Sequence, residues 1–275
     1  MRASRLACVA FLSQSALMVF PAFASASLAP HRAVYDLVLE EASDRSGITG
    51  ITGRMVYEFN GSPCEGYTVK FRFVTQIDTG DNSRVTDQQT TTFEDGEGRT
   101  FSFVTKSFVD QNLEREMKGT AFREKSGLKV EIDKPEKNEL ELAQTQFPTQ
   151  HLVELIDKAN KGETFYSTSL FDGSEDADRV MTTTVVVGKK SAVQKSDPEV
   201  PALKDLAKEK FWPVDIAYFD ESTDGGEEVP EYRISFKLHE NGLTRDLVMD
   251  YGDFSMTGKL VNLAMFDQPP QKCSQ

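Results

Sequence analysis

Two cysteines, Cys64 and Cys273, carry the most readable chemistry in this chain. A third, Cys8, lies in an N-terminal stretch with the marks of an export signal, so two thiols would remain after cleavage. In an oxidising compartment, two thiols most simply form one disulfide. Such a bond would tie the start of the mature chain to its end. Closing so long a loop removes roughly 5 kcal/mol of unfolded-state entropy, less any strain. The alternative is two unrelated buried thiols. The neighbours Ser62-Pro63 and Pro269-Pro270 are loop formers and favour the bond. No C-x-x-C pair is present, which argues against a thiol oxidoreductase.

The other reactive residues do not assemble into a catalytic set. His31, His151 and His239 are far apart in sequence, and each is read as a surface residue. No H-x-x-x-H or C-x-x-C spacing suggests zinc. There is no G-x-S-x-G elbow, P-loop or complete G-x-G-x-x-G. Asp172, Ser174, Asp176 and Asp178 alternate like the start of a calcium loop. That loop needs Gly at its sixth position and Glu at its twelfth, where this chain has Ala177 and Thr183. An acidic turn between strands fits better. Asp250 and Asp253 could be drawn as a glycosidase pair, but among 44 acidic residues such pairs arise by chance. We therefore expect a non-enzyme with no cofactor, no metal and no catalytic residue.

Arg2 and Arg5, the apolar run Leu6–Phe23 and the small residues around Ala24 and Ala26 together read as a secretory signal over 1–26, cleaved near Ala24 or Ala26. The run is too short and too interrupted to span a membrane, and no later segment is long enough. Residues 27–275 are expected to form one domain. The formal net charge is −13, and losing Arg2 and Arg5 deepens it, so nucleic acid is excluded as a partner.

The elements that must position these residues are strands. Apolar residues alternate with polar ones at 35–39, 54–59, 67–73, 128–133 and 232–238. Weaker strands fit at 83–94, 99–109, 112–122, 163–171, 179–188, 213–220, 243–251 and 254–265. Asn60-Gly61 and Asn241-Gly242 are tight-hairpin dipeptides. A helical apolar stripe covers 149–160, between Pro148 and Gly162, and a shorter helix is expected at 202–209. The segments 195–201 and 223–228 look like surface loops. The chain is thus mainly β: a single large antiparallel sheet of about 12–14 strands, too many to stay open and flat. One-sided strands must bury their apolar faces on each other or on a helix. The sheet is expected to curl into a barrel, a spiral or a half-barrel around one or two short helices. The 19 phenylalanines would then fill a core or line an apolar cavity for a lipid or acyl chain.

The chain also resembles the envelope integrity protein B family, exported proteins of Gram-negative bacteria first described as a domain of unknown function. The resemblance spans the mature chain. It rests on His31-Arg32-Ala33-x-Tyr35, Gly53-Arg54-Met55, Cys64-Glu65-Gly66-Tyr67, Leu170-Phe171-Asp172-Gly173-Ser174, Trp212-Pro213-Val214, Pro230-Glu231-Tyr232, Glu240-Asn241-Gly242, Asp250-Tyr251-Gly252-Asp253-Phe254 and Cys273, in that order. It implies a periplasmic location, a β-sheet spiralling around a helix, a Cys64–Cys273 disulfide, and maintenance of the cell envelope under stress. With the export signal, the disulfide and the missing catalytic set, we expect the protein to act by binding a partner protein or an envelope component. It carries over no catalytic residue. The curled sheet is similar in outline to periplasmic lipoprotein carriers, a likeness of fold that assigns no ligand. The aromatic-rich inner face and the sheet topology give the alternative of a lipid or acyl carrier or sensor.

Overall fold

The computed structural model describes residues 28–80, 82–174, 176–220, 229–268 and 273. The export-signal residues 1–26, the 223–228 loop and Pro269-Pro270 lie outside the described residues. Strands β1 (His31–Ala42), β2 (Gly50–Ser62), β3 (Gly66–Thr79), β4 (Asn82–Glu94), β5 (Thr100–Val109), β6 (Asn112–Arg123), β7 (Leu128–Lys134) and β8 (Asn138–Leu142) form one meander. Helix α1 (Pro148–Lys161) follows. Then come β9 (Phe165–Leu170), β10 (Met181–Val187), the two-residue β11 (Ser191–Ala192), helix α2 (Val200–Leu203), β12 (Lys210–Asp220), β13 (Tyr232–His239), β14 (Thr244–Asp250) and β15 (Phe254–Met265).

All fifteen strands belong to one antiparallel sheet, joined through β1 and β15. β8 and β9 are its two edges and do not pair with each other, so the sheet is rolled but not closed. The single bridge between Gln146 and Leu170 spans the seam. The chain crosses that seam by way of α1.

α1 begins where Pro148 supplies a helix-compatible φ without a needed N–H, and it ends at Gly162, whose φ of 79° suits a left-handed cap. Its Leu155, Ile156 and Ala159 are buried in the main core with Tyr35, Leu37, Val185, Val214, Leu238 and Leu247. A second, separate core gathers Phe101, Phe103, Met117, Val130 and Phe147 on the β5–β7 end, roofed by Phe171 and Ala177 of the β9–β10 loop. Beside Ala177, Asp176 pairs with Arg115 of β6.

A bulge in β14 sets two β14 residues, Asp246 and Leu247, against Phe236 of β13, with Asp246 at φ 52°. It accompanies the burial of Arg245, which is fully enclosed. Arg245 Nη1 donates to Glu199 Oε2 at 2.7 Å and to Asp197 Oδ2 at 2.8 Å, while its Nε donates to His239 Nε2 at 3.0 Å. Glu199 Oε1 accepts from the backbone of Asp246 at 3.0 Å and of Leu260 at 2.7 Å. This network fastens the α2 segment across β14 and β15. Burial pushes the Asp197 carboxyl up, but the Glu199 N–H, Arg245 and Lys237 outweigh it and hold it at about 2.

Five expectations change. The 195–201 segment is not a surface loop: Glu199 is buried under Arg245 and α2 begins at Val200. Asn60-Gly61 is not a turn: Asn60 pairs with Thr68 and Gly61 with Tyr67 inside the β2–β3 ladder. The reversal falls at Pro63-Cys64-Glu65, because Pro63 cannot donate to a continuing ladder. Asn241-Gly242 does turn, with Gly242 N donating to His239 O at 3.0 Å. The 202–209 helix is instead the short α2 followed by a tighter turn over Lys204–Lys208. Two strands, β8 and β11, had no sequence forecast. All three histidines are buried rather than exposed.

Glu199 is the testable member of the clamp. Glu199→Gln leaves Arg245 buried with its charge only partly matched, and urea unfolding should show a loss of about 3 kcal/mol. A loss below about 0.5 kcal/mol would mean that the network does not hold α2 in place.

Candidate functional site

The inner face of the roll can be followed residue by residue. His31, Ala33 and Tyr35 of β1 pair with Phe59, Tyr57 and Met55 of β2. These pair with Val69, Phe71 and Phe73 of β3. The next partners are Thr92, Thr90 and Gln88 of β4, with Glu94 opposite Tyr67. β4 therefore turns polar side chains inward. Glu94 is buried at the end of that row.

Glu94 replaces the missing side-chain cap of α1. Its Oε2 accepts from Thr149 N at 2.8 Å and its Oε1 from Gln150 N at 3.1 Å. Burial raises the Glu94 carboxyl to about 7, against the pull of these N–H groups and the Arg123 charge. Arg123 Nη2 donates to Thr145 O at 2.9 Å and to Gln150 Oε1 at 2.6 Å, with its guanidinium over the Phe147 ring. Gln146 Nε2 donates at 2.6 Å to both Glu154 and Thr168, fixing the seam.

These groups line a cleft of about 670 Å³ between the outer side of α1 and the hairpin ends of β3 and β4. Tyr67, Glu94 and Arg123 come from the sheet; Val153, Asp157 and Lys161 come from α1. Pro63 forms one rim, and its neighbour Cys64 is joined to Cys273 across 209 residues. Both cysteines are exposed. The disulfide hairpin rests on the β4–β5 turn so closely that a Cβ on Gly96 would lie 1.8 Å from Pro63 O.

The sequence candidates fall elsewhere. His31 Nδ1 lies 2.7 Å from Ala29 O, and His151 Nε2 lies 3.3 Å from Thr183 Oγ1. Burial lowers both rings; burial and Arg245 lower His239 to about 4. All three are neutral near pH 7 and belong to the packing. Asp250 and Asp253 are turn residues: Asp250 accepts from Gly252 N, and Asp253 accepts from Ser43 and Arg45. Among the described residues, no group of three His, Cys, Asp or Glu could hold a metal, and no helix is long and apolar enough to cross a membrane. Glu94, Arg123 and the Arg245 clamp were not singled out from sequence. The signal for Glu94 was β4 itself, where the one-sided alternation fails.

Together the rolled, unclosed sheet, the helix at its seam and the exposed disulfide define a β-barrel-like fold. The crystal structure of a β-barrel-like protein of unknown function from Brucella abortus superposes with a TM-score of 0.86 at 57% identity, covering 88% of this chain and 100% of that one. The cell envelope integrity protein EipB of Brucella abortus (strain 2308) is 57% identical over 253 residues, 90% of this chain and 89% of its own length. The sequence profile of the EipB-like family matches residues 22–267, and the chain belongs to that family.

The cleft carries its own pH signature. A carboxyl raised from 4.5 to about 7 by folding binds a proton more tightly in the folded state. Stability is then fully present below about pH 4.5 and declines as pH rises through 7. Glu94→Gln should flatten this stretch, removing a difference of roughly 2–3 kcal/mol between urea unfolding at pH 5 and at pH 8. An unchanged profile in the variant would place the dependence on another group.

Proposed function

We propose that this protein is a non-enzymatic periplasmic factor that supports cell-envelope integrity by binding, and that the cleft beside Glu94 is its docking site for a partner protein or an envelope component. The observation that carries this role is the 57% identity to the Brucella envelope integrity protein over nine-tenths of the chain. The chemistry of the cleft agrees with binding. Its buried carboxylate is spent on capping a helix, and its guanidinium on a backbone carbonyl and an amide. Neither is set against a nucleophile. The exposed disulfide suits an oxidising compartment such as the periplasm.

A lipid or acyl carrier is the second role. Half-buried Tyr57, Phe71 and Phe73 on the inner face favour it. The polar inner row of β4 weighs against it, since an acyl chain would leave those groups without partners.

The test is rescue of a strain lacking the protein, plated on the bile detergent deoxycholate. Wild type and the outer-face variant Lys70→Gln should restore growth. Asp157→Arg, which changes the cleft wall and should leave the thermal midpoint within about 2 °C, should restore less than about a tenth of the colonies. Full rescue by Asp157→Arg would remove the cleft from the account. A deletion strain with normal detergent resistance would remove the envelope role.

A further inference from the structure

β8 is an edge of the sheet, and its five residues, Asn138–Leu142, have a neighbouring strand on one side only. The β6–β7 turn fixes which of its backbone groups are free. Glu124 N–H donates to Gly127 O at 2.9 Å. From that bond, the alternation of bonding and non-bonding pairs gives Lys129 and Glu131 to β6, and Leu128, Val130 and Ile132 to β8. Leu142, Leu140 and Asn138 therefore direct their backbone to β7, and Glu139 and Glu141 turn theirs outward. Glu139 N–H is turned away from β7 accordingly and donates to Asn138 Oδ1 at 3.0 Å. The Glu139 carbonyl and both backbone groups of Glu141 meet no partner among the described residues. The other edge, β9, is met by Gln146, through its bridge to Leu170 and its amide bond to Thr168. Nothing among the described residues covers β8 in that way.

The side chains at this edge have an excess of one charge. Glu131 faces Glu139 across the β7–β8 ladder, and Lys129 faces Glu141. Lys129 Nζ reaches Glu131 at 2.7 Å and Glu139 at 3.3 Å, so one cation answers two carboxylates. Glu141 is exposed and has no ion pair among the described residues. Like charges set directly opposite destabilise a ladder. A second copy paired about Leu140 would set Glu139 against Glu141 again, so this edge repels its own kind. On the other face, Leu140 and Leu142 pack on the Phe101–Phe147 core and keep part of their surface open. We propose that β8 accepts a strand from a partner protein, an extended segment in which lysine or arginine alternates with apolar residues. Its backbone would bond the open row, its cations would meet Glu139 and Glu141, and its apolar side chains would extend the leucine face. No β8 residue lines the cleft beside Glu94, so this is a second surface and does not depend on the first.

The experiment is fluorescence anisotropy on the full mature, oxidised protein at about 150 mM salt, which screens diffuse attraction beyond about 8 Å. The probe is a labelled heptapeptide of alternating lysine and valine. It should bind with a Kd below about 200 μM. Its lysines would lie opposite Glu139 and Glu141, in bonding pairs, so their N–H groups face β8. N-methylation of the lysine backbone should weaken binding about tenfold or more, and N-methylation of the valines should not. The same residues arranged in two blocks should also bind about tenfold more weakly. Glu141→Pro removes an outward N–H that the ladder does not use, and Glu141→Gln removes only the charge. They should weaken binding about fivefold and about threefold, while Lys70→Gln leaves it unchanged. The methylated peptides report on the edge without altering the protein. No saturation up to about 1 mM peptide overturns the proposal. Equal binding of the block peptide or of the lysine-methylated peptide overturns it too, because charge alone would then account for the contact. Equal binding of a glutamate–valine heptapeptide would remove the charge selection on which the partner's chemistry rests.

Discussion

One constraint organises this molecule: fifteen strands with mostly one apolar face form a sheet that rolls up and does not close. Closure would have satisfied both edges with hydrogen bonds. Here β8 and β9 stay apart, and the roll must be held by other means. α1 fills the space inside the seam, with Leu155 and Ile156 in the main core. Glu94 anchors its first turn to β4, and Gln146 ties the seam to Thr168. The Arg245–Glu199 network holds the α2 segment over β14 and β15. The disulfide links the β2–β3 hairpin to the segment after β15. Each of these links the parts of a sheet whose ladder alone leaves the seam open.

The buried charges follow from the same constraint. A guanidinium with no exposure survives only where carboxylates meet it, and Glu199 also accepts two backbone N–H groups. The arrangement fixes one register for a short segment with little helix of its own. Glu94 is a different case. It meets backbone dipoles rather than a strong ion pair, so burial dominates and its proton affinity rises. A structural clamp and a pH-responsive cap thus arise from the same residue type in two environments.

Much of the fold was legible in the sequence because period-two alternation records burial directly. Tyr35-Leu37, Tyr67 to Phe73 and Tyr232 to Leu238 all lie on the inner face in register. The α1 stripe between Pro148 and Gly162 was equally plain. β8 and β11 were not, because five-residue and two-residue strands carry too few alternations. Asn60-Gly61 misled because turn chemistry acts locally, while Pro63 and the Cys64 link moved the reversal. The histidines misled because His239 sits at a strand end beside a turn, yet a segment some forty residues earlier covers it. The candidate site was the least legible part. Glu94, Arg123 and Asp157 meet only because distant strands and α1 converge at one end of the roll.

The functional consequence of an unclosed roll is an inner face that is not wholly core. Along β3–β5 the half-buried Phe71 and Phe73 pack against the main core beside the partly exposed Thr90 and Thr105 and the exposed Gln88. Whether solvent reaches that row is the central point of the account. Hydroxyl-radical footprinting read by mass spectrometry tests it directly on the native, oxidised protein. Phe71 and Phe73 should be oxidised several times faster than Phe101 and Phe103, which are 1% exposed. Equal protection of all four rings would mean that the inner face is sealed, and the account of an unclosed roll whose inner face solvent reaches would fail.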